Sequence, residues 1–178
     1  MDIEKINRNN FRSFMNALAF PGRCFVIEPI NKSYLLSAIS VFVFSEASYY
    51  VDLEDKNILG YVDILTNGKK SSIQEADYIF LSKIENFYAI QEAKIGDFLN
   101  PEKSAVVFLE TGYSNNIRYC LSGPGVNGKL DVCLHIDYEI IKLFLNKNKN
   151  FPLGIDMFIL TLDGKVFGLP RTINIEVE

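Results

Sequence analysis

Asp156-Met157-Phe158-Ile159-Leu160-Thr161-Leu162-Asp163-Gly164-Lys165-Val166-Phe167-Gly168-Leu169-Pro170-Arg171 is the stretch on which the fold turns. Met157 to Leu162 is apolar on both faces of an extended chain, and only a strand covered from above and below hides both. Asp163-Gly164 marks a tight turn, because glycine takes a positive φ without steric cost. A two-residue loop there sets Leu162 opposite Lys165, Leu160 opposite Phe167 and Asp156 opposite Arg171. Pro170 has no N–H for a further ladder bond, so the second strand ends or lies at an edge by that residue. The register predicts an Asp156–Arg171 ion pair worth roughly 0.2–1 kcal/mol across the strand end. A functional reading of the same pair has Arg171 presenting its guanidinium fork to a phosphate or a partner carboxylate, oriented by Asp156.

Outward from this hairpin, helices and strands alternate. Phe11, Phe14, Met15 and Leu18 recur at helical spacing and predict a helix over 9–20, stopped by Pro21-Gly22. Cys24 to Ile27 reads as a strand, and Ser33 caps a helix running to about Phe44. Strands follow at Ser48–Leu53 and Tyr78–Leu81, with helices over 55–66 and from Phe87 to Ala93. Ala105–Leu109 is a strand expected to pair with Ile117–Leu121 across the turn at 111–116. Asp137 caps a helix over 138–147, whose Glu139 and Lys147 sit in the order that the helix dipole favours. This alternation predicts one α/β domain over 1–178: a three-layer α/β/α sandwich with a mixed central sheet and a C-terminal β-hairpin.

Composition narrows the function classes. The 178 residues are 48% apolar and 22% charged, a globular balance incompatible with disorder. A net charge of −4 gives no footprint for nucleic acid. The apolar runs, such as Val41-Phe42-Val43-Phe44, are far too short for a membrane span. The acidic, polar opening Met1-Asp2-Ile3-Glu4-Lys5 does not read as a signal peptide, so a cytoplasmic protein is expected. Cys24, Cys120 and Cys133 are odd in number and widely spaced, which argues against a disulfide framework.

Local chemical motifs mostly fail. Gly123-Pro124-Gly125-Val126-Asn127-Gly128 matches the dinucleotide fingerprint literally, but Lys129-Leu130-Asp131-Val132 gives no helix start to receive a phosphate. Gly68-Lys69-Lys70-Ser71 matches the end of a phosphate loop, yet Asp63 stands where that loop needs glycine. Cys133 and the single histidine, His135, are two ligands at most, so no metal site is expected. Asp52, Glu54 and Asp55 read as a solvated loop, and nothing around Ser122 resembles a nucleophile elbow.

Longer segments carry a resemblance. Phe11-Arg12-Ser13-Phe14-Met15-Asn16-Ala17-Leu18 with Pro21-Gly22, the loop from Gly96 to Ala105, Leu121-Ser122-Gly123-Pro124-Gly125, Phe151-Pro152-Leu153-Gly154-Ile155-Asp156 and Leu169-Pro170-Arg171-Thr172 are similar, in order, to segments of the PhnH family of phosphonate metabolism. The resemblance implies a fold likened to pyridoxal-phosphate transferases, also Rossmann-like, without a cofactor. It implies a homodimer that joins G, I and J subunits in the carbon–phosphorus lyase core complex. There it supports formation of ribose 1-methylphosphonate 5-triphosphate from ATP and a phosphonate, as a helper or structural subunit. The lone histidine, the failed phosphate loop and the missing metal cluster lead to the expectation that the isolated chain is catalytically silent. Asp156, Arg171 and Thr172 are the candidate ligand- or partner-contacting residues. Two alternatives stand beside it: a stand-alone nucleotide-binding enzyme using the Gly123–Gly128 turn, and a pure scaffold.

Overall fold

Helix α1 (Ile3–Ala19) begins at Asp2, whose side chain accepts a hydrogen bond from the Lys5 amide. That cap lets the helix start six residues before the first residue of the expected span, in a stretch too polar to show periodicity. The computed structural model describes residues 2–53, 56–112, 117–134 and 136–177. Strand β1 (Phe25–Val26) follows, and Ser33 caps α2 (Tyr34–Phe42) by accepting from the Leu36 amide. Next come β2 (Ser48–Val51), α3 (Lys56–Leu65), β3 (Lys69–Lys70) and β4 (Tyr78–Leu81). The expected helix at Phe87 is instead a 3-10 helix, Ile84–Glu92. The second half holds β5 (Val106–Thr111), β6 (Ile117–Ser122), β7 (Lys129–Leu134), α4 (Tyr138–Lys147), β8 (Asp156–Thr161), β9 (Lys165–Leu169) and β10 (Asn174–Val177).

Seven strands form a mixed sheet in the order β1-β9-β8-β5-β4-β2-β3, parallel from β8 to β3 and antiparallel at β9 and β1. Alternate residues of its strands feed two cores. One holds Tyr49, Phe80, Phe108, Phe158 and Val166 with α1, α2 and α3. The other holds Ile79, Leu109, Met157, Ile159 and Leu169 with α4, the 3-10 helix and a separate three-stranded sheet, β10-β6-β7. Phe80, Phe108 and Phe158 stack across β4, β5 and β8 at centroid spacings of 4.8 and 4.9 Å. Phe14 of α1 meets Phe108 and Phe158 edge-on at 5.7 and 5.1 Å, which seats the first helix on the centre of the sheet. No helix among the described residues is long and apolar enough to cross a membrane.

Two expected pairings are corrected. β5 does not pair with β6, because β4 and β8 already occupy both of its edges. β6 pairs instead with β7 and β10, and residues 113–116 of the expected turn lie outside the described residues. The C-terminal hairpin is also one residue out of the expected register: Leu160 faces Val166 and Ile159 faces Phe167. The loop has three residues, not two. Thr161 Oγ1 accepts from the Lys165 amide, Gly164 N donates to Thr161 O, and Gly164 takes φ +82°, a turn closed by a glycine bulge.

A methyl group at Gly164 would sit 2.7 Å from the Tyr34 ring as well as in a left-handed conformation. Gly164→Ala is therefore expected to lower unfolding free energy by about 1–2 kcal/mol in urea titration, and a neutral result would refute the three-residue turn. Burial pushes the Glu110 carboxyl above the ordinary glutamate range; the Asp52 charge adds to this, and a hydrogen bond from the Leu35 amide opposes it. The folded chain thus holds this proton more tightly than the unfolded chain. Its contribution to stability is present at acid pH and is lost as pH rises from the ordinary carboxylate range through the raised folded value. Glu110→Gln should melt higher than the wild type near neutrality, with the gap closing on acidification; a gap independent of pH would contradict this.

Candidate functional site

Arg171 stands just past β9, after Pro170 has ended the ladder, and turns back over the first residue of β8. Its backbone amide donates to Asp156 Oδ1 at 2.7 Å. Its guanidinium then makes five contacts: Nε to Asp156 Oδ1 at 3.4 Å, Nη1 to Pro101 O at 3.0 Å and to Pro152 O at 3.3 Å, and Nη2 to Ser104 Oγ at 2.6 Å and to Asp156 Oδ2 at 2.7 Å. A guanidinium has five N–H donors, so every one is used inside the protein. The side chains of Arg171 and Asp156 are only 16% and 21% exposed. The fork therefore cannot be offered to a phosphate in this arrangement; Arg171 acts by position, pinning two loops to the start of β8.

Those loops are built to be pinned. Gly154 N donates to Ile95 O at 3.1 Å, which ties the 148–155 loop to the 95–104 loop. Asn148 Oδ1 accepts from Ile155 N at 2.8 Å, while its buried Nδ2 has no partner among the described residues. The Phe151-Pro152 bond is cis. Around the tip of the other loop, Asp97 Oδ1 accepts from the amides of Leu99 and Asn100, both at 2.8 Å. Held in this turn, Phe98 and Leu99 are 73% and 91% exposed, and Phe151 on the neighbouring loop is 68% exposed. A groove of about 480 Å³ runs beside the arginine, lined by Asn148, Lys149, Phe151, Arg171, Thr172 and Asn174 among others. It offers the Lys149 ammonium, the Thr172 hydroxyl and the Asn174 amide.

The structure brings together more than the sequence pairs do. Asp156 and Arg171 form an ion pair, though not through the expected register, since the slipped ladder carries Arg171 one position past the place opposite Asp156; Thr172 lines the adjoining groove. Ser104, Pro101, Pro152 and Asn148 join them, and their part was not anticipated. The signal available for Ser104, Pro101 and Pro152 was that their segments belong to the family-like set; Asn148 lies outside it. The Gly123–Gly125 turn lies close by: a Cβ on Gly123 would come within 3.1 Å of Thr172 O, and one on Gly125 within 2.5 Å of Ala19 O. That turn joins antiparallel β6 and β7 and leads into no helix, so it lacks the amide-lined helix start that a phosphate loop uses. Cys133 is exposed on β7 opposite Arg118, and all three cysteines are free. His135, Glu54 and Asp55 lie outside the described residues. Among the described residues no group of three or more His, Cys, Asp or Glu side chains could hold a metal ion.

A family model for the bacterial phosphonate metabolism protein PhnH matches residues 3–176. No curated protein gives a significant match.

Replacing Arg171 with lysine keeps the charge but supplies three donors where five are used. Arg171→Lys is expected to cost about 2–4 kcal/mol in denaturant unfolding, since it strands carbonyl and carboxylate acceptors. A loss under roughly 0.5 kcal/mol, typical of a surface substitution, would show that the arginine pins nothing.

Proposed function

Because the chain belongs to the PhnH family, we propose that it is an accessory subunit of a carbon–phosphorus lyase core complex, acting with G-, I- and J-type subunits to convert ATP and a phosphonate into ribose 1-methylphosphonate 5-triphosphate. The family ties the chain to bacterial phosphonate metabolism; the assembly and the product are our reading. So are the cytoplasmic setting, the homodimer of the isolated chain, the absence of a catalytic role or cofactor of its own, and a three-layer kinship with pyridoxal-phosphate transferases.

One observation carries the docking role. Arg171 uses all five of its donors to hold two loops, and those loops project Phe98, Leu99 and Phe151 into solvent. Rigid, exposed aromatic and aliphatic side chains beside a polar groove are the form of an interface anchor, because ordering entropy has already been lost before the partner arrives. Asp156 and Arg171 build the platform, and Thr172 stands in the adjoining groove where a partner side chain or a shared substrate would meet it.

The Leu99 side chain stands in solvent, so Leu99→Asp should leave the melting temperature unchanged while weakening co-purification with the other lyase subunits by roughly 30-fold or more. Undiminished co-purification would remove this surface from the assembly. A single-chain mass by light scattering at micromolar concentration would refute the homodimer.

A further inference from the structure

The parallel strands leave the β2/β4 pair in opposite directions and over opposite faces. From β2 the chain crosses to β3 through α3, whose Val62 lies in the core with Phe80 and Phe108. From β4 it crosses to β5 through the 3-10 helix, whose Phe87 and Ile90 lie in the other core with Ile79 and Leu109. The carboxyl ends of β2 and β4 therefore flank a topological switch point, the crevice where open α/β sheets take ligands.

That crevice is formed and lined. A cavity of about 440 Å³ opens there between Tyr50, Asp52, Leu81, Glu85, Asn86 and Tyr88. Asp52, the first residue after β2, bridges the two strand ends: Oδ1 accepts from Ser82 N at 2.6 Å and Oδ2 from Asn86 Nδ2 at 2.7 Å. Among the described residues each oxygen takes one donor, and a carboxylate has about four acceptor sites, so each oxygen keeps a site for a ligand on a rigidly oriented group. Two acceptor sites side by side match two vicinal hydroxyls. Tyr88 is 59% exposed, with its ring braced by Phe87 at 4.0 Å between centroids, and can stack on a planar base.

We infer that the crevice at the ends of β2 and β4 binds a nucleoside, with the ribose diol on Asp52 and the base on Tyr88. Glu85 at the rim disfavours phosphates inside the cavity, so any phosphate chain on the ligand extends outward. The site is separate from the Gly123–Gly128 turn and from the Arg171 corner. It does not depend on docking to other subunits.

Calorimetric titration of the purified chain with adenosine tests it directly. Adenosine should bind about tenfold or more tightly than 2′-deoxyadenosine or 3′-deoxyadenosine, since each lacks a hydroxyl that would bond a charged carboxylate. Asp52→Asn should abolish that preference. Because Asp52 also bonds the strand ends and its replacement can unsettle them, Tyr88→Ala, at a largely exposed position, is the second arm and should weaken adenosine about tenfold while the circular dichroism spectrum stays that of the wild type. No binding at millimolar adenosine overturns the inference. So does equal affinity for the deoxy analogues, or affinity untouched by Tyr88→Ala. Failure here leaves the co-purification result standing, and the reverse holds too.

Discussion

Both faces of β8 lie in core, and its two edges are bonded to β5 and β9, so no peptide group or side chain between Met157 and Thr161 has recourse to water. The neighbouring architecture follows from that burial. Phe158 completes an aromatic stack with Phe108 and Phe80, and α1 has to cover it from one side. Met157 and Ile159 need α4 and the small antiparallel sheet on the other. Only at Asp156, where the strand begins, can a charge be tolerated, and there it must be paired. Arg171 is the answer to that requirement before it is anything else.

This ordering explains why the candidate corner does mechanical rather than chemical work. A guanidinium left with free N–H groups would be a ligand hook, whereas one with all five used is a rivet. The groove beside it keeps Lys149, Thr172 and Asn174 available, so polar recognition and loop positioning are divided between neighbouring residues. Exposed apolar side chains on loops fixed in this way lose little freedom when covered.

Much of the fold was legible where local physics decides it. Ser33 caps α2 because its hydroxyl serves the Leu36 amide, and Tyr78–Leu81 is a strand because four apolar residues between turns can be little else. The Asp156–Arg171 pair was legible because a hairpin brings residues 15 apart together even when its register slips by one. The slip was not legible: Asp163-Gly164 suits a two- or a three-residue loop, and the Thr161 hydroxyl decides between them by taking the Lys165 amide. Nor was the pairing of β6, since adjacent strands pair by default and only the full occupancy of β5 forbids it. Ser104 and Pro101 lie 67 and 70 residues from Arg171, a distance that no periodicity bridges.

The large sheet is bounded by its two shortest strands. β1 and β3 have two residues each, and β3 is Lys69-Lys70, exposed on both. A strand of that length gives a foreign chain almost no ladder to extend, and lysines at the rim repel a second copy of themselves. The ends of the sheet thus resist fibre growth and strand swapping, which matters for a protein whose apolar content is high and whose loops carry exposed phenylalanines. Exposed apolar side chains at the loop tips, Phe98, Leu99 and Phe151, offer contact that is finite and shape-selective, whereas the two-residue edges give little ladder on which open-ended contact could grow.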